Sequence, residues 1–281
     1  MAKTIAIANQ KGGVAKTFTA RSLSAYLAAK GYKVLAVDAD PQTDLTMQFG
    51  IKPEALTENE ELTFRELMLG EFSNRVKALQ GSTDRFEYNT ADAIIKISEN
   101  LSLLPTTEAL TIVKEKLALL PPGKKESITR TILEPVKDDY DFIIIDCPPD
   151  LGSMTINLLS ASDNVIIPGF ADQQSLAALI KIVHTIADVK KSYNPDLQIN
   201  GLLFCRVKSN TVLAQQYMTA MHKKFPFYIY DAYIPEAICA QEAVAQQSSI
   251  LEYDKYSSVA LAYDKFTDEF LKRIADMYDA E

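Results

Sequence analysis

A glycine-containing segment near the start of the chain constrains its fold more than any other feature. Residues 9–17 read NQKGGVAKT and lie between KTIAIA, an apolar stretch of strand character at 3–8, and a helical pattern over 17–31 that ends at a glycine. A strand, a glycine loop and a helix in this order form a unit whose loop N–H groups and helix N-terminus can hold phosphate oxygens. Because glycine pairs are also common in ordinary turns, the loop alone does not decide whether a nucleotide binds.

The loop departs at two positions from the usual phosphate-binding pattern G-x-x-x-x-G-K-[S/T]. Gln10 and Ala15 stand where that pattern has glycine, and an additional lysine, Lys11, precedes the two glycines. Ala15 is tolerable only if the backbone at this position does not require a positive φ. The end of the segment is regular, since Lys16 can reach the β- and γ-phosphates and the Thr17 hydroxyl can bind Mg²⁺.

Strand and helix signals alternate along most of the chain. Apolar runs of strand character occur at 33–40, 140–150, 163–170 and 198–207, helical patterns occupy 173–192 and 211–224, and the tail reads as a closing helix. This alternation predicts an α/β fold with a mostly parallel, twisted sheet and helices on both faces. Since no segment has the composition of a linker, we expect a single domain over residues 1–281. Residues 54–135 are less regular, with a helical segment followed by a strand at 101–107.

The composition excludes several classes of protein. With 47% apolar and 23% charged residues among 281, the chain is of ordinary globular composition. Its apolar runs are far shorter than the roughly 20 residues that cross a bilayer, and its three cysteines form neither a disulfide framework nor a C-x-x-C metal pair. We therefore expect a cytoplasmic protein. The net charge of −8 means that any nucleic-acid binding must come from a local basic patch.

Carboxylates end two of the predicted strands. Asp38 and Asp40 close the run KVLAVDAD, and Asp146 closes FIIID. In an open parallel sheet, ligands bind at the carboxyl ends of the strands, where the glycine loop also lies. A single aspartate there can simply cap a helix. The loop, its Lys-Thr pair and two acidic strand ends in this order nevertheless predict a nucleotide site with a bound metal.

Five segments resemble the ParA/MinD class of P-loop ATPases. KGGVAKT is similar to the deviant Walker A motif K-G-G-x-x-K-[S/T], and VDADPQ and IIIDCPP resemble its companion motifs. Together with NVIIP and the late IPEA, these segments cover nearly the whole chain and are most similar to ParA-type, Soj-like partitioning ATPases. The resemblance implies the P-loop NTPase fold, ATP and Mg²⁺ as cofactors, and hydrolysis of ATP to ADP and phosphate that is weak without a partner.

The resemblance also implies roles for individual residues. Lys11 would be the signature lysine, which crosses the interface of an ATP-sandwich homodimer and touches the phosphates bound by the partner. Asp40 would orient the attacking water, so that the catalytic residues are Lys11, Lys16 and Asp40. The nucleotide would contact Lys11, Gly12, Gly13, Val14, Ala15, Lys16, Thr17 and Phe18. The Mg²⁺ ion would be surrounded by Thr17, Asp38 and Asp146.

The chain departs from the family pattern near the predicted site. Thr43 and Asp44 stand where the family commonly has Gly-Asn, and Asp150 stands where a serine is common. The two added carboxylates bring negative charge close to the triphosphate. They can either weaken nucleotide binding or adjust the rate of hydrolysis, and the sequence does not distinguish these effects.

Four basic residues form the candidate DNA contact: Arg206, Lys208, Lys223 and Lys224. The resemblance leads us to expect non-specific DNA binding late in the chain, but IPEAICAQEAVAQQS has Glu236, Cys239 and Ser248 where two arginines and a lysine are usual. Residues 197–230 contain the four basic residues and no acidic one, so the phosphate contacts could lie there instead. A solvated helix face explains the same residues equally well.

These observations predict a Mg²⁺-dependent ATPase that forms an ATP-sandwich homodimer and partitions plasmid or chromosomal DNA with a ParB-like adaptor. Two alternatives stay open: a positioning ATPase of the same fold for a protein cargo, and a nucleotide-dependent regulatory switch without DNA binding. We expect no membrane role, because residues 252–281 hold eight acidic and four basic residues, whereas membrane-surface helices are basic and amphipathic. DNA binding would associate the protein with the nucleoid.

Overall fold

The predicted strands lie side by side in one sheet of eight strands. The computed structural model describes residues 1–208, 211–226 and 228–278. Within these residues the strands are β1 (Lys3–Ile7), β2 (Val34–Asp38), β3 (Ile95–Lys96), β4 (Leu101–Leu104), β5 (Phe142–Asp146), β6 (Asn164–Gly169), β7 (Gln198–Val207) and β8 (Ile229–Pro235). Their order across the sheet is β3-β4-β2-β5-β1-β6-β7-β8. Only β3 and β4 pair antiparallel; the other neighbours are parallel.

Helices connect the strands. They are α1 (Lys16–Ala29), α2 (Asp44–Gln48), α3 (Pro53–Glu58), α4 (Phe64–Leu79), α5 (Thr111–Leu117), α6 (Ile128–Leu133), α7 (Ser153–Ser160), α8 (Gln173–Ser192), α9 (Val212–Lys224), α10 (Ile238–Ala245), α11 (Ile250–Tyr253) and α12 (Ser258–Tyr278). The predicted closing helix is α12, and residues 279–281 of that prediction lie outside the described part of the chain.

The sheet has an apolar core on each face. Successive side chains of a strand point to opposite faces, so in β5 Ile143 and Ile145 pack in one core while Phe142 and Ile144 pack in the other. Helices α4 to α9 cover the first face, whereas α1 and α12 cover the second. The predicted α/β fold with helices on both faces is therefore confirmed.

Register brings the two acidic strand ends together. In the pairing of β1 with β5, Ile7 lies opposite Asp146, and in the pairing of β2 with β5, Asp38 lies opposite Asp146. The glycine loop leaves β1 at the same edge of the sheet. Parallel pairing thus collects the loop and both carboxylates at the carboxyl ends of three adjacent strands.

One strand that the sequence patterns do not identify, β8, forms an edge of the sheet. Its sequence, IYDAYIP, mixes exposed and buried positions and lacks the continuous apolar run of a central parallel strand. The backbone N–H groups of Asp231 and Ala232 donate to the two carboxylate oxygens of Glu269 on α12, each at 3.0 Å. Arg273, one helical turn further on, donates to Glu269 at 2.8 Å. The last helix therefore occupies hydrogen-bonding groups along this edge.

Arg273 also packs closely over a glycine of β7. Its guanidinium donates to the carbonyl oxygen of Asn200 at 2.8 Å. A Cβ atom on Gly201 would lie 2.7 Å from Arg273 Nη1 and 2.7 Å from the ring of Tyr230. Glycine is therefore required by the close approach of these two side chains. In the described ranges, no helix is both long and apolar enough to span a bilayer.

Candidate nucleotide-binding site

The glycine loop is anchored to the sheet by its first residue. The Asn9 side-chain amide donates to the carbonyl oxygen of Pro168 in β6 at 2.6 Å, and its oxygen accepts from the backbone N–H of Lys11 at 3.1 Å. Val14 is fully buried, while Gly12 and Gly13 are exposed. The ends of the loop are thus fixed and its glycines face the space where phosphates would bind.

The backbone at Ala15 adopts the positive-φ conformation in which alanine is disfavoured. Its φ is 70° and its ψ is 32°, which is the left-handed region, and Gly13 has a φ of 74°. The Ala15 carbonyl accepts the first hydrogen bond of α1, from Thr19 N–H at 2.9 Å, so this left-handed residue directly precedes the helix. An L-residue held in this region costs roughly 1–2 kcal/mol, so the loop is strained at this alanine.

The N-terminus of α1 is open toward the loop. No side chain caps its first N–H groups, and no acidic residue lies in its first turn. Lys16 is 7% exposed and lines the same cavity as Gly12, Gly13 and Thr17. Free helix N–H groups, a partial positive charge and a lysine together can hold phosphate oxygens. We call the glycine loop, the start of α1 and Lys16 the phosphate cradle.

Lys11 lies beside the phosphate cradle, but its ammonium forms an ion pair with Asp172 of the same chain. Lys11 Nζ is 3.3 Å from Asp172 Oδ2 and 3.5 Å from Ser175 Oγ, and it lies over the ring of Phe170 at 4.7 Å from the centroid. Asp172 caps α8 by accepting from Ser175 N–H at 2.6 Å. Burial raises the pKa of Asp172, but the hydrogen bonds from Ser175 and the charge of Lys11 outweigh it and hold that pKa below its ordinary value.

The Asp38 carboxylate accepts hydrogen bonds from the protein through both of its oxygens. Its Oδ2 accepts from the N–H and the hydroxyl of Thr46 at 2.8 Å and 2.6 Å, and its Oδ1 accepts from Asp40 N–H at 3.2 Å. Burial raises its pKa to about 7, while these hydrogen bonds act in the opposite direction. These hydrogen bonds hold the segment between β2 and α2 in place, and a position of Asp38 in the metal shell stays a prediction.

Asp146 has the free oxygens that a metal site needs. Its side chain is fully buried, and within the described part of the chain neither oxygen has a hydrogen bond of normal geometry. Burial raises its pKa well above the ordinary value, Asp38 adds to this rise, and Thr17 and Lys16 oppose it. A buried carboxylate without partners beside a threonine hydroxyl fits a Mg²⁺ ion whose other ligands are phosphate and water.

Asp40 completes the acidic end of the cavity. It is 7% exposed, lines the cavity together with Lys16, and accepts from Gln42 N–H at 3.0 Å. Burial raises its pKa, while Gln42 and Lys16 act against that rise. Asp44, at the start of α2, adds an exposed carboxylate to the same cavity.

The other residues that depart from the family pattern have local partners. Asp150 accepts from Lys114 Nζ at 2.8 Å and from Gly152 N–H at 2.7 Å, so its charge is balanced and it supports the start of α7. Thr43 precedes α2 with a φ of 59°. Like Ala15, it occupies a left-handed position for which glycine is better suited.

The cavity lined by Lys16, Thr17, Asp40 and Asp44 has a volume of about 530 Å³. One end is the phosphate cradle. The other end lies between the end of β8 and α10 and is formed mainly by apolar side chains: Ile234, Pro235, Ala237, Ala240 and Val244. A polar end for phosphates and an apolar end for a base are the features of a nucleotide site.

Comparisons with known proteins agree with this geometry. A family model described as an AAA domain matches residues 2–199. The sporulation initiation inhibitor protein Soj of Bacillus subtilis is 35% identical over 263 residues, which is 94% of this chain and 96% of that protein. The chromosome partitioning protein ParA of Myxococcus xanthus is 32% identical over 271 residues, 96% of this chain and 88% of the relative. The chain belongs to the ParA/Soj family of ATPases.

A structure solved with a bound nucleotide analogue is also similar to this chain. Cobyrinic acid a,c-diamide synthase from Mycobacterium smegmatis, solved with an ATP analogue and magnesium, is 28% identical with a TM-score of 0.79 over 99% of this chain and 97% of that chain. The predicted family, the P-loop fold, the ATPase class and the cofactors ATP and Mg²⁺ are thereby confirmed. Among the described residues, no group of three or more histidine, cysteine or acidic side chains could hold a metal by itself. In this ParA/Soj chain the Mg²⁺ ion would be held by Thr17 and Asp146 with the phosphates.

The four candidate DNA contacts do not form one patch. Arg206 Nη2 is 3.0 Å from Glu236 Oε1, and Lys208 Nζ is 3.8 Å from Glu236 Oε2, so one carboxylate faces both cations. Lys223 and Lys224 are exposed in the last turn of α9, a helix of 13 residues and so about 20 Å long, whereas Lys208 precedes its first residue. The absence of acidic residues over 197–230 misled the sequence argument, because Glu236 lies just beyond it.

Sequence reasoning also missed that Arg206 and Glu236 line the nucleotide cavity. A signal was present, since both residues lie at the carboxyl end of a strand, β7 for Arg206 and β8 for Glu236. Without β8 in the predicted fold, however, Glu236 had no position in the sheet.

Proposed function

We propose that this protein is a partitioning ATPase that dimerises around two ATP molecules and works with a ParB-like adaptor. The observation that carries the proposal is the position of Lys11. It is not among the residues that line the cavity, and its ammonium is held by Asp172 at 3.3 Å, whereas Lys16 lines the cavity. A lysine beside the phosphate cradle, bound through one ion pair of modest strength, is available to the phosphates of a second chain.

In the proposed mechanism, the residues of one chain have separate roles in hydrolysis. The loop N–H groups and Lys16 bind and orient the phosphates. Thr17 and Asp146 would hold Mg²⁺, which neutralises charge on the phosphate oxygens. Asp40, held by Gln42, would orient the attacking water. Asp38 positions this segment through Thr46, and Lys11 of each chain would complete the charge stabilisation in the other.

Dimerisation is the first step to test. Sedimentation velocity with ATP and Mg²⁺ should show a dimer for the wild type and for Asp40→Ala, in which the dimer should last longer because hydrolysis is slow. Lys11→Ala should remain monomeric. Lys30→Ala is the matched control, because Lys30 pairs with Asp264 and Asp268 on α12 and takes no part in the site. An ATP-dependent dimer of Lys11→Ala would overturn the proposal.

We propose non-specific DNA as the cargo, bound by the ATP-loaded dimer, in a cytoplasmic protein that associates with the nucleoid. The relative from Myxococcus xanthus is named a chromosome partitioning protein, which supports DNA as the cargo. The exposed Lys223 and Lys224 are the better phosphate contacts, since Glu236 faces Arg206 and Lys208. This same pairing favours the second candidate, a positioning ATPase of the same fold for a protein cargo.

Fluorescence anisotropy with duplex DNA distinguishes the two cargoes. The ATP-bound Asp40→Ala protein should bind unrelated duplexes with similar affinity, and the affinity should fall steeply with salt. Lys223→Ala with Lys224→Ala should weaken binding to all duplexes and reduce the salt dependence. Failure of the ATP-bound dimer to bind any duplex at low salt would exclude the DNA role and support the protein cargo.

A further inference from the structure

The apolar end of the nucleotide cavity contains a single pair of opposite charges. Arg206, at the end of β7, and Glu236, after β8, both line this cavity and form an ion pair with Nη2 3.0 Å from Oε1. The surrounding side chains are mainly apolar, with Gln241 as a further polar residue. Since the loop would hold the phosphates at the other end, a nucleoside can extend toward this pair. A few polar groups in an apolar pocket are what select one ligand over another.

Arg206 is held in an unusual conformation. Its φ is 53°, one of the few positive values at a non-glycine residue among those described. Its guanidinium carbon lies 5.6 Å from the centroid of the Phe170 ring, and it lines both the nucleotide cavity and the neighbouring cavity that contains Phe170. Backbone strain of this kind costs roughly 1–3 kcal/mol and persists mainly at functional sites. The guanidinium is within reach of both the Phe170 ring and the Glu236 carboxylate.

The Glu236 carboxylate is fixed and still has capacity to accept. Its backbone N–H donates to the Val207 carbonyl at 3.0 Å, which holds the residue against the end of β7. Oε1 accepts from Arg206, while Oε2 is 3.8 Å from Lys208 Nζ, which is beyond hydrogen-bonding distance. A carboxylate offers about four acceptor positions, so a donor from a ligand can still be accommodated.

We propose that Glu236 selects adenine by accepting a hydrogen bond from its exocyclic 6-amino group, and that Arg206 is the residue that positions Glu236 for this contact. The ligand is the ATP that the family uses, so the inference rests on nucleotide binding by this chain and not on dimerisation or DNA. Arg206 then has a function at the nucleotide site that competes with the DNA contact for which the sequence suggested it.

The test compares three ligands that share the phosphate contacts. Isothermal titration calorimetry with Mg²⁺ measures the dissociation constants of ADP, of purine riboside diphosphate, which lacks the 6-amino group, and of pyrophosphate. Diphosphates are chosen because they bind without the proposed sandwich dimer. Wild type should bind ADP about tenfold more tightly than purine riboside diphosphate, since the contact is a charge-assisted hydrogen bond in a partly exposed site.

Glu236→Ala should bring the dissociation constants of ADP and purine riboside diphosphate within about twofold of each other and leave pyrophosphate binding unchanged. Arg206→Met should reduce the preference partially, because Glu236 then loses its positioning partner. Glu236→Gln should restore part of the preference, since its amide oxygen can still accept. Lys208→Ala is the matched control: it faces the same carboxylate but is not among the residues that line the nucleotide cavity, and the preference should persist.

Two results would overturn the inference. One is an unchanged preference for ADP in both Glu236→Ala and Glu236→Gln. The other is an equal loss of affinity for ADP, purine riboside diphosphate and pyrophosphate, because a contact with the 6-amino group can act on ADP alone. Neither result bears on the dimer, which is measured separately with Lys11→Ala.

Discussion

Replacing Ala15 by glycine should stabilise the protein, although glycine in the interior of a helix or strand has the opposite effect. Ala15 has a φ of 70°, where an L-residue costs roughly 1–2 kcal/mol and glycine costs nothing. Glycine also gains freedom in the unfolded chain, which removes roughly 0.5–1 kcal/mol of that benefit. The net expectation for Ala15→Gly is a free energy of unfolding higher by about 0.5–1 kcal/mol.

Urea denaturation followed by circular dichroism measures this change, with an unchanged m-value as the sign that only stability has shifted. The matched control is Ala177→Gly. Ala177 is exposed in the interior of α8, where its backbone is helical and glycine should destabilise by about 1 kcal/mol. The two variants should therefore differ in sign. If Ala15→Gly lowers the free energy of unfolding as much as Ala177→Gly does, the strain inferred for the loop does not exist.

Three further predictions concern the metal ligand, the lysine and the close packing at the edge of the sheet. Asp146→Asn should abolish Mg²⁺-dependent turnover, measured by phosphate release. It should also stabilise the metal-free protein, increasingly so as the pH rises from 5 to 8. Burial raises the pKa of Asp146, so the folded state loses stability as the pH rises from the ordinary aspartate range to the raised pKa. Asparagine does not titrate and removes that loss. An equal effect of the substitution at all pH values in urea denaturation would contradict this. Asp172→Asn should tighten ATP-dependent dimerisation about two- to fivefold in sedimentation equilibrium, because Lys11 no longer has to leave an ion pair worth up to ~1 kcal/mol; weaker dimerisation would mean that Asp172 acts in the dimer itself. Gly201→Ala should lower the free energy of unfolding by roughly 1–3 kcal/mol, because its Cβ would meet Arg273 and Tyr230, and a neutral result in thermal denaturation would show that both side chains can move away.

The sequence predicts those features that depend on residues close together along the chain. The strand, loop and helix around Lys16 follow from apolar spacing and glycine, and Asp146 follows from an apolar run that ends in a carboxylate. These patterns are local, because parallel strands buried on both faces are continuous apolar segments. The same local argument placed the acidic strand ends at one edge of the sheet, where the register of β2 and β5 puts Asp38 beside Asp146.

The remaining features depend on contacts between distant parts of the chain. The motif shows that glycine is usual at the position of Ala15, but only the structure shows that the backbone there is left-handed. Asp38 and Asp146 are indistinguishable as strand ends, and only the hydrogen bonds from Thr46 show that one is occupied and the other free. Glu236 is separated from Arg206 by 30 residues and reaches it through β8, an edge strand without a clear apolar pattern.

The hydrogen bonds from the backbone of β8 to the Glu269 carboxylate affect how copies of this protein can associate. An edge strand with free N–H groups can be extended by a strand from another molecule, which produces domain-swapped oligomers and fibrils. Glu269 occupies two of those N–H groups, and Arg273 anchors the carboxylate. Glu269 therefore opposes the pairing of another strand at these two N–H groups. In the proposed ATP-sandwich dimer the copies would instead meet at the end of the sheet that carries the nucleotide, so that the ligand, and not the concentration of the protein alone, would control when two chains meet.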